Sequence, residues 1–253
     1  PIFIRTSRGV QPTEQGLEAL RQAAQIVDCH EKMCQVGSLT PRRRLRIGGI
    51  SYNPVCDAFA QLCKEYQNED GLEMAFYTDD IDVSLEKLWL SEIDLAVALR
   101  GSDETDRLEK ICRQKNLKLT HMADVPMVLR IGPRHPLYSA PEIRFSDFEN
   151  YAMVDYNDKV FLEYPSLSAL LHINPDRIVT VSDRALKNRL ISETSMYSIG
   201  CKLPPRSNER FGFRCIPLDN LHYSLFVMER YDSRRGELTV QYLNLLERYL
   251  EDL

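Results

Sequence analysis

The sequence predicts an α/β protein in which two rounds of strand–helix alternation follow one long leading helix. Three observations carry this prediction. Between Leu45 and Leu99, apolar strand-like runs alternate with helix-periodic ones in the order strand–helix–strand–helix–strand, the pattern of a parallel sheet covered by helices. Between Tyr151 and Cys201 the same organisation recurs. Ahead of both, a proline-free run extends from Thr13 to about Val36. In it Leu17, Leu20, Ala24 and Val27 return every three or four residues, with Ala23 and Ile26 beside them.

In chain order, Phe3, Ile4 and Val10 flank a turn carrying Arg5, Arg8 and Gly9, which reads as a short hairpin with a basic tip. Pro12 breaks the chain, and Thr13 is placed to cap the helix that follows. Ser38-Leu39-Thr40-Pro41 ends that helix, and Arg42-Arg43-Arg44 follows as a solvated linker or a phosphate contact. Leu45 to Ile50 is a strand. Ser51-Tyr52-Asn53-Pro54 opens a helix in which Val55, Phe59, Leu62 and Tyr66 form the inward stripe. Leu72 to Tyr77 is a strand, Asp79 to Leu90 a helix with Leu85 and Leu88 inward, and Ile93 to Leu99 a buried strand. The charged stretch 100–117 reads as a loop with a helical piece. Leu119 to Met122 and Pro126 to Ile131 read as two strands. The second half begins with a helical turn at Phe145–Phe148 and a strand at Tyr151–Tyr156. Asp158 to Leu171 is split by Pro165; Arg177–Val181 is a strand. Asp183–Ser192 is a helix with Ala185, Leu186, Leu190 and Ile191 inward, and Met196–Cys201 is a strand. Phe213–Pro217 and Leu221–Arg230 are late strands. Glu237–Leu250 is a terminal helix with Val240, Leu243, Leu246 and Leu250 inward.

Composition narrows the function classes. With 253 residues and 43% apolar content, the chain can bury one large or two small cores. Mean hydropathy is slightly negative, and no apolar run approaches the roughly 18 residues of a membrane span. No signal peptide is visible, so a cytoplasmic protein is expected. Residues 1–46 hold eight Lys/Arg against four Asp/Glu, and the remainder 24 against 33. A basic front on an acidic body suits a DNA-facing element joined to a body that does not touch DNA. The seven cysteines are odd in number and lack Cys-x-x-Cys or zinc spacing, as expected of reduced thiols with no metal site. The five histidines, at 30, 121, 135, 172 and 222, join no local catalytic motif. There is no Gly-x-Ser-x-Gly, Walker loop or His-Glu-x-x-His. An enzyme is not expected, nor is a cofactor.

Ile2-Phe3, Arg5, Arg8-Gly9-Val10, Thr13 and Gly16 together resemble the end of the winged helix-turn-helix of LysR-type transcriptional regulators, where the wing enters a linker helix. Pro12 stands where leucine is usual. Ser91 to Val97 resembles the family's Leu-x-x-Gly-x-Leu-Asp-Leu-Ala pattern, with Ser91 in place of glycine, so that turn is expected to differ in shape. Gly132 to Leu137 resembles its His-Pro-Leu turn. Glu193 to Ile199 replaces its Gly-x-Gly-Ile, adding hydroxyls where glycines were. The resemblance implies two Rossmann-like subdomains of the type 2 periplasmic-binding-protein kind behind a linker helix. It divides the chain into a wing remnant at 1–12, a linker helix at 13–37, subdomain I at 42–122 plus 222–253, and subdomain II at 123–221. The helix-turn-helix itself finds no room before Phe3 and is expected to be truncated.

In a parallel sheet, ligands sit beyond the carboxyl ends of the strands. Those ends supply Ser51, Tyr52, Thr78, Asp80 and Arg100 in the first half and Tyr156, Asn157 and Tyr197 in the second. The start of the helix after Ser51 favours an anion through its free N–H groups, with Arg100 as counter-charge; Ser51 also fits a plain helix cap. Tyr156 and Tyr197 fit either stacking on an effector or packing in the core. The resemblance further implies a small-molecule effector, here a small organic anion, in a cleft between the subdomains. It implies a homodimer or homotetramer joined through the linker helix and helix 54–66, promoter DNA met by Arg5 and Arg8 at its backbone, and RNA polymerase as a further partner. Two alternatives share these features: a transporter's solute-binding protein with the same two-lobed fold, and a thiol-based redox regulator using Cys201 and Cys215.

Overall fold

The computed structural model describes residues 1–6, 9–36, 43–156, 177–205, 211–231, 233 and 235–251. Arg8, Asn157 and the 158–171 stretch lie outside the described residues.

At the front, β1 (Phe3–Thr6) and β2 (Gly9–Pro12) pair antiparallel with Arg5 opposite Val10, followed by α1 (Glu14–Val36). Thr13 begins the helix as expected: its Oγ accepts from the Gly16 N–H at 3.0 Å and donates to the Pro1 carbonyl at 2.7 Å. Gly16 has a steric reason. A Cβ there would lie 1.8 Å from the Ile2 carbonyl oxygen, so only glycine lets the hairpin lie against the helix.

The chain then forms two compact units, Pro1–Ala123 with Ser224–Glu251, and Asp124–Tyr223. The first unit carries β3 (Arg43–Gly49), α2 (Asn53–Tyr66), β4 (Leu72–Thr78), α3 (Ile81–Trp89), β5 (Leu95–Arg100), α4 (Ser102–Gln114), the start of β6 (Leu117–Ile131), the end of β10 (Arg214–Arg230) and α6 (Glu237–Glu251). β3 lies between β4 and β5, parallel to both, and β10 closes antiparallel on β5. On one face Ala96 and Ala98 of β5 pack with Leu85 and Leu88 of α3, Leu108 and Cys112 of α4, and Phe226 and Met228 of β10. Small residues in the central strand let both helices approach closely. α2 and α6 pack together elsewhere in this unit, where the Tyr242 hydroxyl donates to the Val55 carbonyl. Arg230 pins the α3–β5 turn by donating to the carbonyls of Leu88 and Ile93.

The second unit carries the rest of β6, a 3-10 turn at Phe145–Phe148, β7 (Met153–Tyr156), β8 (Ile178–Val181), α5 (Arg184–Glu193), β9 (Tyr197–Cys201) and the start of β10. β7 runs parallel to β8 and β9, and β6 antiparallel to β9. Val154, Val181, Ile191 and Phe213 form its core on the α5 face.

The fold class expected from the sequence holds, with six corrections. The stretch 100–117 is mostly a helix, α4, because Leu108 and Cys112 give it a buried stripe amid its charges. Residues 117–131 are one strand rather than two, and so are residues 214–230; Pro126 and Pro217 are accommodated within them. Pro126 still accepts from the Lys202 N–H through its carbonyl, the half of the ladder a proline keeps. In α5 the buried face holds Lys187, Asn188 and Ile191, while Ala185 and Leu186 are exposed. In α6 Val240 is exposed and Leu238, Tyr242 and Leu245 join the core. Ser91 sits at φ +62°, so the serine adopts the left-handed conformation that glycine takes readily, and the turn keeps a glycine-like shape. Among the described residues no helix is long and apolar enough to cross a membrane.

Candidate functional site

In the first unit, the parallel register sets Gly49 of β3 beside Thr78 of β4 and Val97 of β5. The expected residues Ser51, Tyr52, Thr78 and Asp80 therefore follow the same ends of one sheet. Tyr52 is the N-cap of α2, with extended backbone and no side-chain cap bond. Its ring is buried at 5% exposure, so it is the backbone of Tyr52 that stands at the helix start. The Ser51 hydroxyl lies 3.5 Å from the Cys56 thiol. Thr78 is exposed. Asp80 is exposed at the N-cap of α3 and makes no cap bond through its side chain. The neighbouring Asp79 is held by Lys87 at 2.6 Å, and the carboxylate raises the Lys87 ammonium above the usual lysine range. Arg100 has a partner of its own: Nε lies 3.3 Å from Glu104, one turn into α4, and Nη1 donates to the Leu99 carbonyl. Its charge is thus largely used within the protein.

In the second unit, Tyr156 ends β7 half-buried, with the Lys187 ammonium 4.0 Å from its ring centroid. Lys187 donates to Asp155 at 3.2 Å, and both side chains are almost fully buried, at 4% and 2% exposure. This pair ties α5 to the end of β7. Tyr197 is a core residue, its ring tilted against Phe148 with centroids 5.0 Å apart, and burial pushes its phenol up to about 12. His135 occupies the turn after β6. It is buried against Tyr151 and Phe148, and its Nδ1 accepts from the Leu137 N–H. Burial lowers it to about 4, so it is neutral at neutral pH. The Thr194 hydroxyl donates to the Leu190 carbonyl and accepts from the Met196 N–H, closing α5. Cys201 is buried, and desolvation pushes its thiol up to about 12. Among the described residues no cluster of His, Cys, Asp or Glu is arranged to hold a metal.

Two polar residues that sequence reasoning did not single out lie in this unit. Lys187 sat on a helix whose apolar residues pointed elsewhere, and Arg130 sat inside the apolar run Met127-Val128-Leu129-Arg130-Ile131. An arginine interrupting a buried strand was the available signal.

The α/β fold is similar to that of solved effector-binding and regulatory domains. The effector-binding domain of QuiR in complex with shikimate is 15% identical, with a TM-score of 0.57 over 83% of this chain and 98% of that one. A full-length OxyR cysteine mutant from Pseudomonas aeruginosa is 12% identical, with a TM-score of 0.59 over 99% of this chain and 80% of that one. The sulfate-bound regulatory domain of an OxyR2 mutant from Vibrio vulnificus is 13% identical, with a TM-score of 0.59 over 84% of this chain and 99% of that one. No family model matches the sequence, and no curated protein matches it.

Proposed function

We propose that the chain is the linker helix and effector-binding part of a LysR-type transcriptional regulator that acts in the cytoplasm and senses a small organic anion. One observation carries this reading. The similarity to full-length OxyR extends over 99% of the chain, whereas that to an isolated effector domain stops at 83%. The basic hairpin and α1 are thus included in the likeness, and neither belongs to a solute-binding protein. The exposed apolar residues of α1, among them Leu20, Ile26, Val27 and Met33, support its use as a surface for a second copy of this chain. Arg5 is exposed at the hairpin and suits a phosphate contact. Effector binding changes the relative stability of two arrangements of the protomers and so repositions the paired DNA-binding domains, with RNA polymerase as a downstream partner. The effector reading is favoured over the thiol-based one by Cys201, whose thiol stays protonated and is a poor nucleophile at neutral pH.

The test is made on the gene product carrying its upstream coding sequence. About 60 residues encoding a helix-turn-helix are expected there, and that protein is expected to bind its own promoter with an affinity or footprint changed by a small carboxylate. An upstream sequence without such a segment, or a protein that binds no promoter DNA, would overturn the reading.

A further inference from the structure

Arg130 occupies an unusual place. It lies on β6 directly opposite Ser198 of β9, so the two side chains share one face of the sheet. From there the guanidinium reaches along β9 across Gly200, and Nη2 donates to the Cys201 carbonyl at 3.0 Å. The passage exists because residue 200 is glycine: a Cβ there would stand 2.1 Å from Nη2. That bond is the one hydrogen bond the Arg130 side chain makes among the described residues. Its Nε is buried without a partner, and so is the hydroxyl of Ser198. None of the described carboxylates pairs with Arg130. The groups that act most on its charge are the thiols of Cys215 and Cys201, the phenol of Tyr156 and a second guanidinium, Arg184, at the first turn of α5. Desolvation accordingly pulls Arg130 below the usual arginine range.

Arg130 is half-buried with its Nε fully enclosed; a cation desolvated in this way without a counter-ion is costly, and an anion bound from solution would offset that cost. Arg130 reaches toward Cys201 at the carboxyl end of β9, and Tyr156 ends β7; these are the ends where α/β sheets bind ligands. A guanidinium presents two parallel N–H donors that match a planar carboxylate, and the Ser198 hydroxyl on the same face supplies another.

We propose that Arg130, seated over Gly200 and flanked by Ser198, is the anion anchor of the second unit, and that it takes the carboxylate of an organic effector. The proposal rests on the effector reading above and gives that effector a chemical class and an anchoring residue.

Thermal unfolding of this chain tests it, with acetate, benzoate and succinate as probes, benzamide as the uncharged counterpart of benzoate, and sodium sulfate as an inorganic anion. At least one carboxylate is expected to raise Tm by a few degrees, growing with the logarithm of concentration, while benzamide does not. Arg130→Met is expected to abolish that rise while leaving the ligand-free Tm level or higher, because it removes a charge that no described carboxylate balances. Gly200→Ala, whose methyl displaces the guanidinium, is expected to abolish the rise as well, and Ser198→Ala to reduce it. If Arg130→Met lowers the ligand-free Tm by several degrees and still responds to carboxylates, Arg130 is a structural residue and the assignment fails, while the effector reading stands. An Arg130-dependent response to sulfate alone overturns the carboxylate. If none of the three carboxylates stabilises the unaltered chain, the assignment also fails. The reading as a regulator falls separately, on the promoter test.

Discussion

The Lys187–Asp155 pair offers the sharpest stability test. The ammonium and carboxylate lie 3.2 Å apart with side-chain exposures of 4% and 2%, and Lys187 also covers the ring of Tyr156 at 4.0 Å. Removing one member of a buried pair costs about 3–5 kcal/mol. Lys187→Met is the informative change, since methionine keeps the length and apolar stem while deleting the charge. With a urea slope of about 2 kcal/mol per molar, the midpoint of the second unit should fall by about 1.5–2.5 M. Replacing both partners, Lys187→Met with Asp155→Leu, should recover much of the loss, because hydrophobic replacement of a buried pair is often close to neutral. The assay is urea unfolding followed by far-UV circular dichroism, with hydrogen exchange in β7 and α5 to locate the loss. A midpoint shift under about 0.5 M, or single-change costs that add in the double variant, would refute the view that this pair is coupled and holds α5 to β7.

Three further outcomes are expected. Burial lowers His135 from 6.5 to about 4; the unfolded chain therefore takes up this proton near pH 6.5, while the folded chain resists until about pH 4. Its contribution is full above pH 6.5 and lost as pH falls toward 4. His135→Asn, which retains an acceptor for the Leu137 N–H, should flatten that part of the stability–pH curve measured by urea titration; an unchanged slope counts against it. Ser91→Gly should stabilise the first unit by about 0.5–1 kcal/mol, since glycine relieves the positive φ at some cost in chain entropy; a lower urea midpoint would contradict the strain argument. Ile26→Lys with Val27→Lys places charge on the exposed apolar face of α1 and should convert an assembled protein to monomers in sedimentation while helix content is retained, whereas an unchanged mass would remove α1 from the interface.

Elements whose sequence pattern reflects their own burial were legible in the chain alone. The α2 stripe is one: Val55 and Leu62 are fully buried, as their spacing required. The N-cap at Thr13 is another, because a cap is settled within four residues. The errors share a cause of the opposite kind. In α5 the apolar residues Ala185 and Leu186 suggested the inward face, yet Lys187 is buried there because a carboxylate 32 residues earlier receives it. Charge masked α4, whose two buried positions, Leu108 and Cys112, find partners on β5 and β10. Prolines divided β6 and β10 because a missing donor was read as a strand end, although the carbonyl of Pro126 still binds Lys202 across the sheet.

The same distinction between local and distant partners decides which arginine can serve a ligand. Arg100 looked available at the end of its strand, but Glu104 is four residues away, and a pair at that spacing on one helix start is predictable from sequence. Arg130 interrupts the apolar run Met127–Ile131, and no described neighbour in sequence pairs with it. Its meaning depends on register with Ser198 and Gly200, about 70 residues later. That register supplies a passage and a hydroxyl and, among the described residues, no acid. A cation already paired by the helix that follows it competes poorly for an effector carboxylate, whereas one held over glycine with most of its donors unused gains from binding it. The two arginines therefore make opposed predictions in one assay: Arg100→Met should weaken folding through loss of the Glu104 pair by no more than about 1 kcal/mol and leave carboxylate stabilisation in place, while Arg130→Met should do the reverse.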